Sequence, residues 1–96
     1  MGIFVRVFQT FNRNEARRVI HITQHKGQAD LCVYIVKSKS LAYKEAYWYI
    51  SKNKLDSDAA FYFGSRGSAC VNVYFVNSQA QAGWQNDHPL KGRLKY

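Results

Sequence analysis

Residues 31–42 read LCVYIVKSKSLA, and residues 71–82 read VNVYFVNSQAQA. Each is an apolar run with a tyrosine inside it, followed by a polar stretch that carries a serine and closes on alanine. The same pattern twice in a chain of 96 residues points to an internal repeat, and a repeat governs every later assignment.

Aligning the closing residue extends the pattern to six units. Ala16, Ala29, Ala42, Leu55, Ala69 and Ala82 stand 13, 13, 13, 14 and 13 residues apart. An apolar run precedes each: VRVF at 5–8, VIHI at 19–22, LCVYIV at 31–36, AYWYI at 46–50, AAFYF at 59–63 and VNVYFV at 71–76. The polar stretches that follow are NRNEA, HKGQA, SKSLA, SKNKL, SRGSA and SQAQA. A unit this short cannot hold a helix pair, but it accommodates a strand of about 5–6 residues and a connection. The runs are rich in Val, Ile, Tyr and Phe, which suit a pleated, packed surface. Val33 to Val36 are apolar in succession, as in a strand covered on both faces. In 71–75, Asn72 alternates with Val71 and Val73. Ser38, Ser51, Ser65 and Ser78 each open a polar stretch and are placed to cap a single helical turn, as is Asn12.

The expected fold is therefore a β-rich single domain over 1–96, with six short strands alternating with short helical turns. The units are 4–16, 17–29, 30–42, 43–55, 56–69 and 70–82, followed by a tail at 83–96. The alternative is an α+β arrangement in which 38–51, SKSLAYKEAYWYIS, forms one helix capped by Ser38 with Lys44 and Glu45 on it. The repeat register favours a strand at 46–50. The tail breaks the period, and Trp84, Leu90 and Leu94 are expected to cap the repeated core, since terminal repeats must be atypical.

Composition is that of a folded protein, 47% hydrophobic and 16% aromatic. Fourteen Lys and Arg against six Asp and Glu give a net charge of +8. That balance favours anionic partners, a nucleic acid or an acidic protein, and speaks to association rather than fold. No segment approaches the roughly 18 apolar residues of a membrane span, and the N-terminus has no signal-peptide pattern, so a cytoplasmic protein is expected. Cys32 and Cys70 are too few for a disulfide framework, and Cys32 reads as a buried thiol.

Charge falls in register. Three residues before each closing residue stand Arg13, Lys26, Lys39, Lys52, Arg66 and Gln79, five of them basic. Equivalent turns brought together would set these cations in a row suited to a phosphate backbone or an acidic protein edge. Arg17 and Arg18 extend this set, and Lys91, Arg93 and Lys95 give the tail a basic side. The competing reading is a set of solvated turns. The aromatics Tyr47, Trp48, Tyr49, Phe61, Tyr62, Phe63, Tyr74 and Phe75 lie inside the strand runs and read as core rather than as stacking platforms.

Other chemistry is weakly signalled. His21 and His25 are four apart but fall in a strand register, which separates them by about 13 Å, and no metal site is expected. The serines are accounted for as caps, Asp56 and Asp58 as a turn, and GSRGS at 64–68 lacks phosphate-loop spacing. No cofactor is implied.

The units ADLCVYIVKSKSLA at 29–42 and CVNVYFVNSQAQAGW at 70–84, with the tail AGWQNDHPLKGRLKY, resemble the septoil-knot domain family. That resemblance implies a compact, β-rich bacterial domain whose chain winds into a seven-crossing torus knot, with no established catalytic activity, cofactor or substrate. Two readings of function follow: a non-enzymatic structural or self-associating module, a homo-oligomer in which sheet edges or the tail pair with another copy, or a binding module for an anionic partner through the basic turns. An enzyme is the remaining alternative.

Overall fold

The structure is a computed structural model and describes residues 5–92 and Leu94. Arg93 and Lys95 of the basic tail lie outside the described residues. The strands are β1 (Arg6–Gln9), β2 (Arg18–Ile22), β3 (Leu31–Ile35), β4 (Tyr47–Ser51), β5 (Ala59–Phe63), β6 (Val71–Val76) and β7 (Gly83–Trp84). Single 3₁₀ turns alternate with them: η1 (Arg13–Glu15), η2 (Lys26–Gln28), η3 (Lys39–Leu41), η4 (Lys54–Asp56), η5 (Arg66–Ser68) and η6 (Gln79–Gln81). All six expected strands are present, and 38–51 is a 3₁₀ turn followed by a strand, not a helix. The two-residue β7 was not foreseen.

The first six strands form a closed parallel barrel in the order β4-β1-β5-β2-β6-β3, with β3 returning to β4. From β1 to β2 to β3 the chain advances two places around the ring each time. It then steps one place to β4 and resumes double steps through β5 and β6. The second circuit therefore fills the gaps left by the first. β7 runs antiparallel along Leu31 and Cys32 of β3, while β4 takes Tyr34 and Ile35, so the two share one seam. Short strands make this winding feasible. Five residues rise about 17 Å, a span that the seven to eleven residues of each connection between barrel strands, one 3₁₀ turn and the rest extended, can retrace outside the barrel.

Alternate side chains fill the interior. Val7, Ile20, Leu31, Val33, Trp48, Phe61, Val71 and Val73 are fully buried. Trp48 lies at the centre, edge-on to Phe61 at 5.3 Å and to Phe75 at 6.2 Å between ring centroids, and its indole donates to the Glu45 carbonyl at 2.8 Å. Cys32 and Tyr47, on the outward side of β3 and β4, are buried as well. A second cluster of Val36, Ala42 and Tyr47 covers that side. The continuous apolar run at 31–36 is covered on both faces over 31–33, whereas Tyr34 is half-buried and Ile35 is exposed.

The turns correct two expectations. First, the closing residue of the fourth unit is Ser57, not Leu55, so the spacing Ala42 to Ser57 is 15 and Ser57 to Ala69 is 12. The longer interval contains the single-place step from β3 to β4. Second, the caps are only partly serines. Asn12, Asn53 and Ser78 accept from the backbone N–H two residues on, whereas the hydroxyls of Ser38 and Ser65 make no cap bond and face Ser40 and Ser68. Ser51 is not a cap. It is the buried last residue of β4, and its hydroxyl accepts from the Asn53 N–H at 3.2 Å. Thr10 and Thr23 occupy the same position and accept from Asn12 and His25. Each buried hydroxyl satisfies the first N–H of the departing connection, a local bond that turns the chain out of the sheet.

The tail closes the barrel. Leu94 is fully buried in the core, with Leu90 and Trp84 packed against it. No helix among the described residues is long and apolar enough to cross a membrane.

A cationic cleft between neighbouring turns

Because β1 lies beside β4, η1 and η4 lie side by side. The Lys54 ammonium donates to Glu15 at 2.5 Å, and Lys39 in η3 donates to Asp56 in η4. The turns η1, η4 and η3 therefore adjoin in that order. On another side of the barrel, Arg66 in η5 donates to Gln28 in η2 at 3.4 Å. Strand pairing between units three apart thus divides the basic residues into neighbouring sets.

Arg13, Lys26, Lys39 and Arg66 each open a 3₁₀ turn. Lys52 does not. It is exposed on the link between Ser51 and the cap Asn53, and Lys54 opens η4 instead. The two-residue lengthening of the interval after Ala42 causes this shift, which the near-uniform spacing of the aligned residues concealed. Arg17 and Arg18 follow η1 and line a cleft of about 460 Å³ with Lys54, Glu15, Ser57 and Asp58. A second cleft of about 580 Å³ adjoins it across Glu15 and Lys54 and is lined by Phe8 and Phe11. Phe11 is 86% exposed and Leu55, in η4, is 94% exposed. The sequence marks Leu55 only as the closing residue of its unit and does not single out Phe11. Both became recognisable only after the turns were in register.

The carboxylates are committed to the fold. Asp58 takes two bonds from the Arg6 guanidinium and one from the Arg6 backbone N–H, all at 3.0 Å. The hydrogen bond that Arg6 donates to Asp58 raises the Arg6 pKa, against a smaller opposing effect of burial. Glu15 is held below the usual carboxylate range by its hydrogen bond from Lys54 and by that residue's charge. Asp30 occupies the position after Ala29 that Asp58 occupies after Ser57, and it accepts from the Asn72 backbone N–H at 3.0 Å. Burial pushes Asp30 up, but hydrogen bonds from Asn86 and Asn72 and the nearby His88 outweigh it, and its pKa is lowered. Glu45 accepts from Trp84, Gly92 and Leu94. With Asp56 on Lys39, five of the six carboxylates are engaged internally, and the sixth, Asp87, is exposed. The cations outnumber them, so the outer surface is positive.

The histidines serve separate local contacts. His21 faces the Gly64 carbonyl at 3.1 Å, His25 is exposed beside η2, and His88 stacks on Trp84 at 5.4 Å. Cys32 is buried and its thiol is pushed up by that burial, while Cys70 is exposed. Among the described residues no three His, Cys, Asp or Glu side chains gather as a metal set.

A family model described as the 7(1) septoil knot domain matches residues 4–85. No curated protein and no solved structure matches the chain.

Proposed function

We propose, from the premise that this chain belongs to the septoil knot domain family, that it is a non-enzymatic binding module for an anionic partner, a nucleic acid or an acidic protein. The observation that carries this reading is the division of charge. The carboxylates are bound to backbone N–H groups and cations of the fold itself, while Arg13, Arg17, Lys26 and Lys52 are presented on exposed turns and links. Exposed cations held on a rigid scaffold bind a polyanion by releasing its condensed counterions. The cleft bounded by Arg17, Arg18 and Lys54 gives that surface a concave centre. Self-association is the weaker alternative, because copies carrying a net +8 repel one another.

The test is fluorescence anisotropy with labelled single-stranded and duplex oligonucleotides and a labelled polyglutamate peptide, titrated between about 50 and 200 mM salt. The control variant replaces Arg13, Arg17, Lys26 and Lys52 by Ser. Binding that weakens steeply with salt, with a shallower dependence in the variant, is expected. No binding of any probe at the lowest salt, or equal binding by the variant, refutes the reading.

A further inference from the structure

Phe11 and Leu55 are out of place in a way that the repeat makes measurable. The residue before each turn cap is Phe11, Gln24, Lys37, Lys52, Gly64 or Asn77. In five of the six units it is polar or glycine, so the winding does not require an aromatic ring there. The middle residue of each turn is Asn14, Gly27, Ser40, Leu55, Gly67 or Ala80. Only Leu55 is a large apolar residue. The two exceptions fall in the first and fourth units, whose turns adjoin through the Glu15–Lys54 pair. Both side chains are almost fully exposed, at 86% and 94%.

The backbone beneath Phe11 is held firmly. Thr10 donates its N–H to the Phe61 carbonyl at 3.0 Å, its buried hydroxyl accepts from Asn12, and the Asn12 side chain accepts from the Asn14 N–H. An exposed ring on an anchored link loses little conformational freedom when something stacks on it. Cations predominate around it, and Glu15, which lines both clefts, is paired with Lys54. Arg13 follows two residues on, and Lys54 borders both the cleft that Phe11 lines and the adjoining one that holds Arg17 and Arg18.

Resting on the anion-binding reading above, we propose that this face binds single-stranded nucleic acid, with an unpaired base stacked on Phe11 and its flanking phosphates on Arg13 and Arg17. Charge complementarity selects a polyanion, and the exposed ring selects one whose flat faces are accessible. A duplex hides those faces in its own stack, whereas a single strand offers one with every nucleotide. An acidic protein would satisfy the cations but would use Phe11 and Leu55 only as apolar area.

The experiment compares wild type with Phe11→Ala, Phe11→Leu, Phe11→Trp, Leu55→Ser and Arg17→Ser by anisotropy. The probes are a labelled oligothymidylate, the same backbone with abasic sites, and a duplex of equal length. Because Phe11 and Leu55 are exposed, the variants keep the fold, which far-UV circular dichroism checks. Phe11→Ala and Phe11→Leu are expected to weaken oligothymidylate binding roughly 5- to 150-fold, the range for loss of one stacked base, with the salt slope unchanged. Phe11→Trp retains binding. Arg17→Ser instead lowers the salt slope by about 0.7. The abasic strand binds wild type about as weakly as oligothymidylate binds Phe11→Ala. Wild-type affinity in Phe11→Ala or Phe11→Leu, or a duplex bound as tightly as the single strand, overturns the proposal. If polyglutamate binds with a salt-dependent slope and the oligonucleotides do not, this inference fails and the anion-binding reading stands. If nothing binds, both fail.

Discussion

Replacing Glu45 by Gln should release the C-terminal segment from the barrel. The carboxylate accepts from the Trp84 indole at 2.8 Å, the Gly92 N–H at 2.6 Å and the Leu94 N–H at 2.9 Å. An amide of the same size keeps one acceptor oxygen and turns an NH₂ group toward at least one of these donors. A hydrogen bond to a charged group is worth about 1.5–3 kcal/mol, so losing one bond and weakening the others should cost about 2–4 kcal/mol. Leu94→Ala attacks the same docking event from the core side. Leu94 is fully buried, and such truncations cost about 2–5 kcal/mol. The two losses should not add. Once the segment has undocked, a second change on it has nothing further to remove, so the double variant should fall short of the sum by more than about 1 kcal/mol. Urea unfolding of wild type, both single variants and the double variant provides the measurement, since total stabilities of about 5–15 kcal/mol leave the variants folded at low denaturant. The m-value should also fall, because an undocked segment leaves less surface to expose. A cost below about 0.5 kcal/mol for Glu45→Gln, or additivity in the double variant, would show that Glu45 does not latch the segment.

Three further outcomes follow from the strand ends and carboxylates. Thr10→Val removes the buried acceptor of the Asn12 N–H and should cost about 1–3 kcal/mol in thermal or urea unfolding, whereas a cost near zero would mean that water reaches that N–H. Asn53→Ala should cost about 1 kcal/mol through loss of its cap bond to Leu55, while Ser65→Ala should cost clearly less, because the Ser65 side chain caps nothing. Asp30, whose folded pKa lies below its ordinary value of 3.8, stabilises the fold above that value and loses its contribution as pH falls through the folded pKa. Asp30→Asn should therefore flatten the acid limb of a stability–pH curve below about pH 4, and an unchanged limb would exclude this role.

The strands were legible because six apolar runs of Val, Ile, Tyr and Phe carry their own local signal, and the run at 31–36 announced the cover on two faces found over 31–33. The ring order was not legible. Apart from β3 with β4, every pairing joins strands three or four units apart, and nothing in a run such as AAFYF names VRVF as its neighbour. The alignment also erred where the winding changes. A two-residue lengthening after Ala42 moves the turn from Lys52 to Lys54, and the closing position from Leu55 to Ser57, because SKNKL mimics the other polar stretches so closely. Asn53 was passed over as a cap for the same reason. Phe11 went unnoticed because it adjoins the apolar run at 5–8, and a ring there looks like core until five polar counterparts are set beside it. The tail's contribution depends on Leu94 and Glu45, which are distant in sequence and joined only by tertiary geometry.

The interleaving of the two circuits also bears on how the chain is made. Every ladder among the described residues joins one of β1, β2 and β3 to one of β4, β5, β6 and β7. A nascent chain that has emerged only through β3 holds strands with no native partner yet synthesised. It cannot fold stepwise as it leaves the ribosome, as chains with local hairpins can. β1 has no partner until β4 is made and β2 has none until β5 is, so translation speed across residues 36–63 sets how long the first half waits.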